Sequence, residues 1–106
     1  MKWEIIYFNS TVKKSVETLP KGLYARFLRM VTMMRENGPN LGMPHTKPMG
    51  DGLFEMRLRA MEGIARIFYC TIIGNRIYLL HSIIKKTERT PKIDLDIAKR
   101  RMKEVK

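Results

Sequence analysis

The chain opens on alternation. Trp3, Ile5 and Tyr7 are separated by Lys2, Glu4 and Ile6, a period of two that predicts a short, mostly buried strand. Asn9, Ser10 and Thr11 then offer N-cap oxygens, and Val12, Val16 and Leu19 follow at helical spacing as far as Pro20. Between Lys21 and Asn37 the apolar stripe is Leu23, Phe27, Met30, Val31 and Met34, with Arg26, Arg29 and Arg35 largely off it. Asn37-Gly38-Pro39 stops this helix, because Gly permits a left-handed cap and Pro cannot continue the turn. Residues 39–52 lose periodicity and read as a basic loop carrying His45 and Lys47.

Strand-like alternation returns at Leu53–Ala60, with Phe54, Met56 and Leu58 on one face and Glu55, Arg57 and Arg59 on the other. Met61-Glu62-Gly63 reads as a hairpin turn, Ile64 to Ile72 as the next strand, and Gly74-Asn75 as a second turn. Arg76 to Ile84 is apolar on both faces, which predicts a strand covered on both sides. Pro91 opens a last helix over Ile93–Val105, setting Ile97, Ala98 and Met102 against Lys99, Arg100, Arg101 and Lys103. The order β-α-α-β-β-β-α describes an α+β domain. Its expected architecture is an antiparallel four-stranded sheet with two N-terminal helices packed on it and a C-terminal helix. Repeats, low-complexity tracts and linkers are absent, so a single domain over 1–106 is expected.

Charge changes the picture most. Twenty-one Lys and Arg against 10 Asp and Glu leave a formal charge of +11, which repels itself in a compact state and so points to an anionic partner. Such partners are nucleic acid, an anionic membrane surface or an acidic protein. One cysteine, Cys70, cannot form an internal disulfide or hold a zinc site, and with only His45 and His81 besides, the composition argues against a conventional structural metal site. No cofactor is expected. No apolar run approaches the roughly 20 residues of a membrane span. The first residues lack a signal peptide's apolar centre, so a reduced, cytoplasmic location is expected.

Chemistry concentrates on the Leu53–Ala60 strand. With helices on the Phe54/Met56/Leu58 face, the row Glu55, Arg57, Arg59 is expected to face solvent or a partner. A carboxylate beside guanidinium groups fits a general base with arginines stabilising a phosphorane. It fits equally an ordinary solvated sheet face with cross-strand ion pairs. A hairpin at 61–63 brings Arg66 near Arg57 or Glu55, among Ile64, Phe68 and Cys70. There Arg66 is either the ion-pair partner of Glu55 or a desolvated phosphate fork. His81, in YLLHSII, is a proton carrier or a hydrogen-bonded core residue. Lys85, Lys86 and Arg89 form a phosphate clamp or a solvated exit turn, and Lys99, Arg100, Arg101 and Lys103 a solvated or phosphate-tracking face. Cys70, in an apolar strand, reads as core. From the residues alone two readings stand: metal-independent RNA cleavage by 2′-hydroxyl attack, and a non-catalytic nucleic-acid-binding module. Docking on an acidic protein is compatible with both.

The segments GLFEMRLR, ARIFY and LLHSIIKKTERTP, in this order and spacing, resemble the RelE/HigB toxin superfamily of bacterial toxin–antitoxin pairs. The similarity covers nearly the whole chain and is greatest to the phage-derived HigB-like branch. It implies a type II toxin that acts as a ribosome-dependent mRNA endonuclease and inhibits translation. It further implies neutralisation by a helix-turn-helix, HigA-like antitoxin. Operator DNA would be met only through that complex, and no membrane is involved. The family's basic pair falls on Glu55 and Arg57, its following arginine on Arg66, and its terminal basic cluster on Lys85, Lys86 and Arg89; His81 is shared with the HigB-like branch. Glu55 stands where the RelE branch has a lysine, and no tyrosine lies between Arg89 and Lys92.

On this resemblance Arg57, Arg66 and Lys86 hold the scissile phosphate, and either Glu55 or His81 transfers the proton. Lys47, Lys85, Arg89, Lys99 and Arg100 contact RNA. Arg66→Ala and Lys86→Ala are each expected to relieve growth arrest in a folded protein. The alternatives are a gyrase-directed relative and the basic binding module.

Overall fold

The computed structural model describes residues 2–72, 74–85 and 89–106. The elements are β1 (Glu4–Tyr7), α1 (Ser10–Glu17), α2 (Lys21–Asn37), β2 (Thr46–Gly50), β3 (Leu53–Ala60), β4 (Gly63–Ile72), β5 (Arg76–Lys85) and α3 (Lys92–Val105). The sheet has five strands in the order β1-β5-β4-β3-β2. Two features correct the expected four-stranded antiparallel sheet. β1 runs parallel to β5, pairing Glu4 with Arg76 through Tyr7 with Leu79. The basic loop contains β2, antiparallel to β3 with Thr46 opposite Met56 and Lys47 opposite Glu55. A strand holding Pro48, with a register shift before Gly50, carries almost no alternation, which is why its sequence reads as loop.

Local chemistry explains the helix ends. Asn9 caps α1, its side-chain oxygen accepting from the Val12 amide at 2.8 Å. α2 begins at Pro20 with no side-chain cap of its own. The cap comes from the β3–β4 turn instead, where Glu62 accepts from the Gly22 amide at 2.8 Å. A carboxylate there also suits the positive end of the helix. A Cβ on Gly22 would lie 2.3 Å from a Glu62 carboxylate oxygen. Glu62→Ala should therefore cost about 1 kcal/mol. Gly22→Ala should destabilise the native protein by expelling that carboxylate, yet stabilise the Glu62→Ala background by about 0.5–1 kcal/mol. A double-mutant cycle in urea checks this, and additive effects would contradict it. α2 ends at Gly38, whose φ of 93° suits glycine.

The sheet is covered on both faces. On one side α1 and α2 pack Val12, Val16, Leu23, Phe27 and Met34 against Met56, Leu58, Ile67, Tyr69, Ile77 and Leu79. Tyr69 donates its hydroxyl to the Pro39 carbonyl, and burial pushes its phenol well above the usual range. On the other side α3 lays Ala98 and Met102 over Leu53, Phe68, Cys70 and Leu80. The expected covering of β5 is thus found. β4 lies between β5 and β3, with Ala65 to Cys70 buried without interruption. Cys70 is core, as read from its apolar strand, and burial raises its thiol pKa.

A bulge in β5 matters for function. Phe68 pairs with His81 and Tyr69 with Leu79, leaving Leu80 as the extra residue. Leu80 and His81 consequently both lie on the α3 face: Leu80 is buried there, and the His81 ring stacks on Phe68 at 6.3 Å. The α3 face is pinned further by Arg101, which donates to the Leu80 carbonyl at 2.7 Å and sits 5.1 Å from the Phe8 ring. Arg101 is therefore a structural cation, whereas Lys99, Arg100 and Lys103 are exposed as expected.

Candidate functional site

β3 and β4 place Arg57 directly opposite Arg66, as the hairpin predicted. Two like charges face each other there, and Glu55, one row along on the same face, answers them. Arg66 Nη1 lies 2.9 Å from Glu55 Oε1, and Arg57 Nε lies 3.4 Å from the same oxygen. Thr90, just before α3, donates its hydroxyl to Glu55 Oε2 at 2.9 Å, and Arg66 Nη1 reaches the Thr90 oxygen at 3.4 Å. Glu55 is thus the hub of a cluster that ties two strands to the start of α3.

For Glu55 this corrects the expectation that the charged row faces solvent or a partner, whereas Arg57 and Arg59 do line an open cleft. The Glu55 side chain is 1% exposed, that of Arg66 2% and that of Arg57 24%. The physical reason is the second covering layer: α3 and its leading Thr90 close over this face. Both carboxylate oxygens of Glu55 are engaged by donors, so Glu55 orients arginines and is not open to substrate. The ion-pair reading of Arg66 is the one observed. Arg59 is the exposed member of the row.

Arg57, Arg59 and Arg66 open onto a cleft of about 700 Å³ whose opposite wall carries Arg26 and Arg29 of α2 and whose rim carries His45. Its apolar lining includes Met30, Met33, Met61 and Ile64. Among the described residues no carboxylate lines it. Five arginines line this volume, and guanidinium forks match phosphate oxygens.

The remaining site residues are distributed around this centre. His81 is not in the cleft; its Nε2 lies 2.8 Å from an Asp94 carboxylate oxygen, and its side chain is 17% exposed. Lys85 pairs with Ile64 at the cleft end of β5. Lys86 lies outside the described residues. Lys47 is exposed on β2 and Arg89 is exposed before Thr90. Lys99 and Arg100 face solvent on α3, away from the cleft lining. The residues not singled out from sequence are Thr90 and the pair Arg26 and Arg29. The pair carries a signal, since a spacing of three puts both on one helix face; Thr90 carries none. Among the described residues, no three His, Cys, Asp or Glu side chains come together as a metal site requires. Among the described residues no helix is long and apolar enough to cross a membrane.

Helices covering both faces of a short mixed sheet make a fold seen before. It is similar to that of the E. coli toxin RelE, solved as an arginine-to-alanine double mutant in the free state, at a TM-score of 0.66 and 11% identity, each chain covered in full. It is also similar to a chain of the archaeal RelE–RelB complex from Pyrococcus horikoshii OT3, at a TM-score of 0.54 and 20% identity over 84% of this chain and 100% of that one. A search of curated proteins finds no matching sequence. The family model for the phage-derived protein Gp49-like (DUF891) matches residues 14–103, and the chain belongs to that family. The phage-derived lineage and the RelE-like fold both agree with the resemblance carried by GLFEMRLR, ARIFY and LLHSIIKKTERTP.

Proposed function

We propose that this protein is the toxin of a type II toxin–antitoxin system, of the HigB-like branch, and that it cleaves mRNA on the ribosome. The observation that carries the reading is the Glu55-centred arginine cluster at a cleft lined by Arg57, Arg59 and Arg66 together with Arg26 and Arg29. In the proposed reaction the 2′-oxygen bonds to the adjacent phosphorus and the bond to the 5′-oxygen breaks. The products are a 2′,3′-cyclic phosphate and a 5′-hydroxyl end, and no metal is used. Arg57 contacts the phosphate and stabilises the charge that builds on it, while Arg66, held by Glu55 and Thr90, adds a fixed positive field beneath. Lys86 is assigned to the same phosphate from the sequence.

Of the two proton-transfer candidates, Glu55 is enclosed and His81 keeps an open side. His81 lies on the same face, two residues along β5 from Ile83, the partner of Arg66. Asp94 orients its ring, as a carboxylate does for a general base. His81 accepts the 2′-hydroxyl proton, and water protonates the leaving 5′-oxygen. Lys47, Lys85, Arg89, Lys99 and Arg100 contact backbone phosphates of messenger or ribosomal RNA. His81→Gln, which keeps a donor toward Asp94, should lower cleavage about 10²–10⁴-fold in a folded protein.

The relative from Pyrococcus horikoshii was solved as a complex with RelB. By analogy a cognate, HigA-like antitoxin is proposed for this chain. An acidic segment of that partner would compete with RNA for the basic surface, and the pair would meet operator DNA together. The reading is tested by primer extension on cellular mRNA after induced expression. Codon-phased cuts with cyclic-phosphate ends are expected. Intact mRNA with DNA damage would replace this reading with a gyrase-directed one. Salt-sensitive RNA binding without cleavage or growth arrest would replace it with the binding module.

A further inference from the structure

We propose that the α2 wall of the cleft is a nucleotide subsite, taking the residue of single-stranded RNA that neighbours the phosphate held at Arg57. The inference rests on the RNA reading above and names a part of the surface that reading does not use. Four observations support it. First, β2 pairs with β3 only as far as Thr46 opposite Met56, with one further main-chain bond from the Arg57 amide to the His45 carbonyl at 2.9 Å, so beyond Arg57 the cleft passes round the margin of the sheet. It joins the arginine face to the α2 face in one continuous space. Second, Arg26 and Arg29 stand exposed on that far wall, and neither makes an ion pair among the described residues. Third, the space between is apolar: Met33 and Met61 are exposed hydrophobics, with Ile64 beside them. Fourth, the volume of about 700 Å³ falls in the range of about 300–1,000 Å³ typical of ligand pockets.

Bare phosphate would need the arginines but not the apolar floor. A purely apolar ligand would leave the arginines without a purpose. A nucleotide uses both, its phosphate on the forks and its base face on methionine or a guanidinium plane. Duplex RNA hides its base faces in the stack, so the ligand is single-stranded. The regular spacing of phosphates along the strand lets one sit at Arg57 while its neighbour reaches Arg26 and Arg29.

The test is fluorescence anisotropy of a short single-stranded RNA, with its 2′-hydroxyls blocked, over a range of salt. Arg26→Ala/Arg29→Ala should weaken binding about 10-fold or more and flatten the salt slope by about 1.4. Met33→Gln should weaken binding with the slope unchanged. The exposed pair Lys13 and Lys14 on α1 supplies a control of equal charge. If Lys13→Ala/Lys14→Ala matches the arginine variant in both respects, only net charge is at work and the subsite is overturned. If the arginine variant keeps its RNA affinity but loses binding of poly-glutamate, the wall receives an acidic peptide and the proposal falls. Codon-phased mRNA cuts with unaltered RNA binding in the arginine variant would remove the subsite alone. Arginine-dependent RNA binding without any cleavage would remove the endonuclease reading alone.

Discussion

Glu55→Ala is expected to lower folding stability by about 3–5 kcal/mol. Removing the carboxylate strips a buried guanidinium of its partner, leaves the Thr90 hydroxyl without its acceptor, and lets Arg57 and Arg66 repel each other across the strand pair. For a single domain this is a large fraction of the roughly 5–15 kcal/mol usual for folded proteins. Urea unfolding of the purified protein reads it directly. Glu55→Leu/Arg66→Met removes both members of the pair and should recover most of the loss, because an apolar replacement leaves no orphaned charge. A loss below about 1 kcal/mol for Glu55→Ala would mean that the cluster is not structural. The same logic bears on Arg66→Ala, which leaves Glu55 buried without its closest cation; relief of growth arrest in that variant is expected to come with a loss of folding stability, so it reports on catalysis only where urea unfolding shows the fold retained.

Arg57→Ala separates the two roles. Its side chain is partly exposed and its 3.4 Å contact with Glu55 is the longer one, so the fold should keep within about 1 kcal/mol of its stability. Cleavage, by contrast, should fall about 10²–10³-fold, the usual cost of removing one donor aimed at developing charge. The measurement is the rate of mRNA cutting on purified ribosomes, with circular dichroism confirming the fold. Arg57→Lys should recover only part of the rate, since an ammonium is a point charge without the planar fork. Full activity in Arg57→Ala would remove Arg57 from the site and, with it, the main support for the proposed chemistry.

Periodicity placed α1, α2, β3, β4, β5 and α3 because each carries a long apolar stripe or a clean alternation. It failed at β2, where Pro48 and an irregular register erase the pattern. It also failed to show that β1 is parallel, since pairing direction is a property of the tertiary fold. For the site, the hairpin geometry was enough to bring Arg57, Arg66 and Glu55 together. The burial of that group was not legible, because it depends on α3 crossing the second face and delivering Thr90. The bulge at Leu80 was equally hidden, yet it decides that His81 faces Phe68 and Asp94 and not the α1–α2 core. Arg26 and Arg29 showed in the sequence only as charges off the apolar stripe of α2, and the cleft they line depends on where β2 pairing ends.

The open margins of the sheet constrain how the molecule can be recruited. One outer strand, β1, is four residues long, and its approach is fixed by Trp3 donating to the Arg35 carbonyl. The other, β2, is five residues long and contains Lys47, Pro48 and a register break. Short, kinked and charged margins make poor templates for an added strand. Partners are thereby directed away from main-chain extension of the sheet and toward contacts made by side chains, so that binding specificity is written in charge and shape and can change residue by residue without disturbing the scaffold.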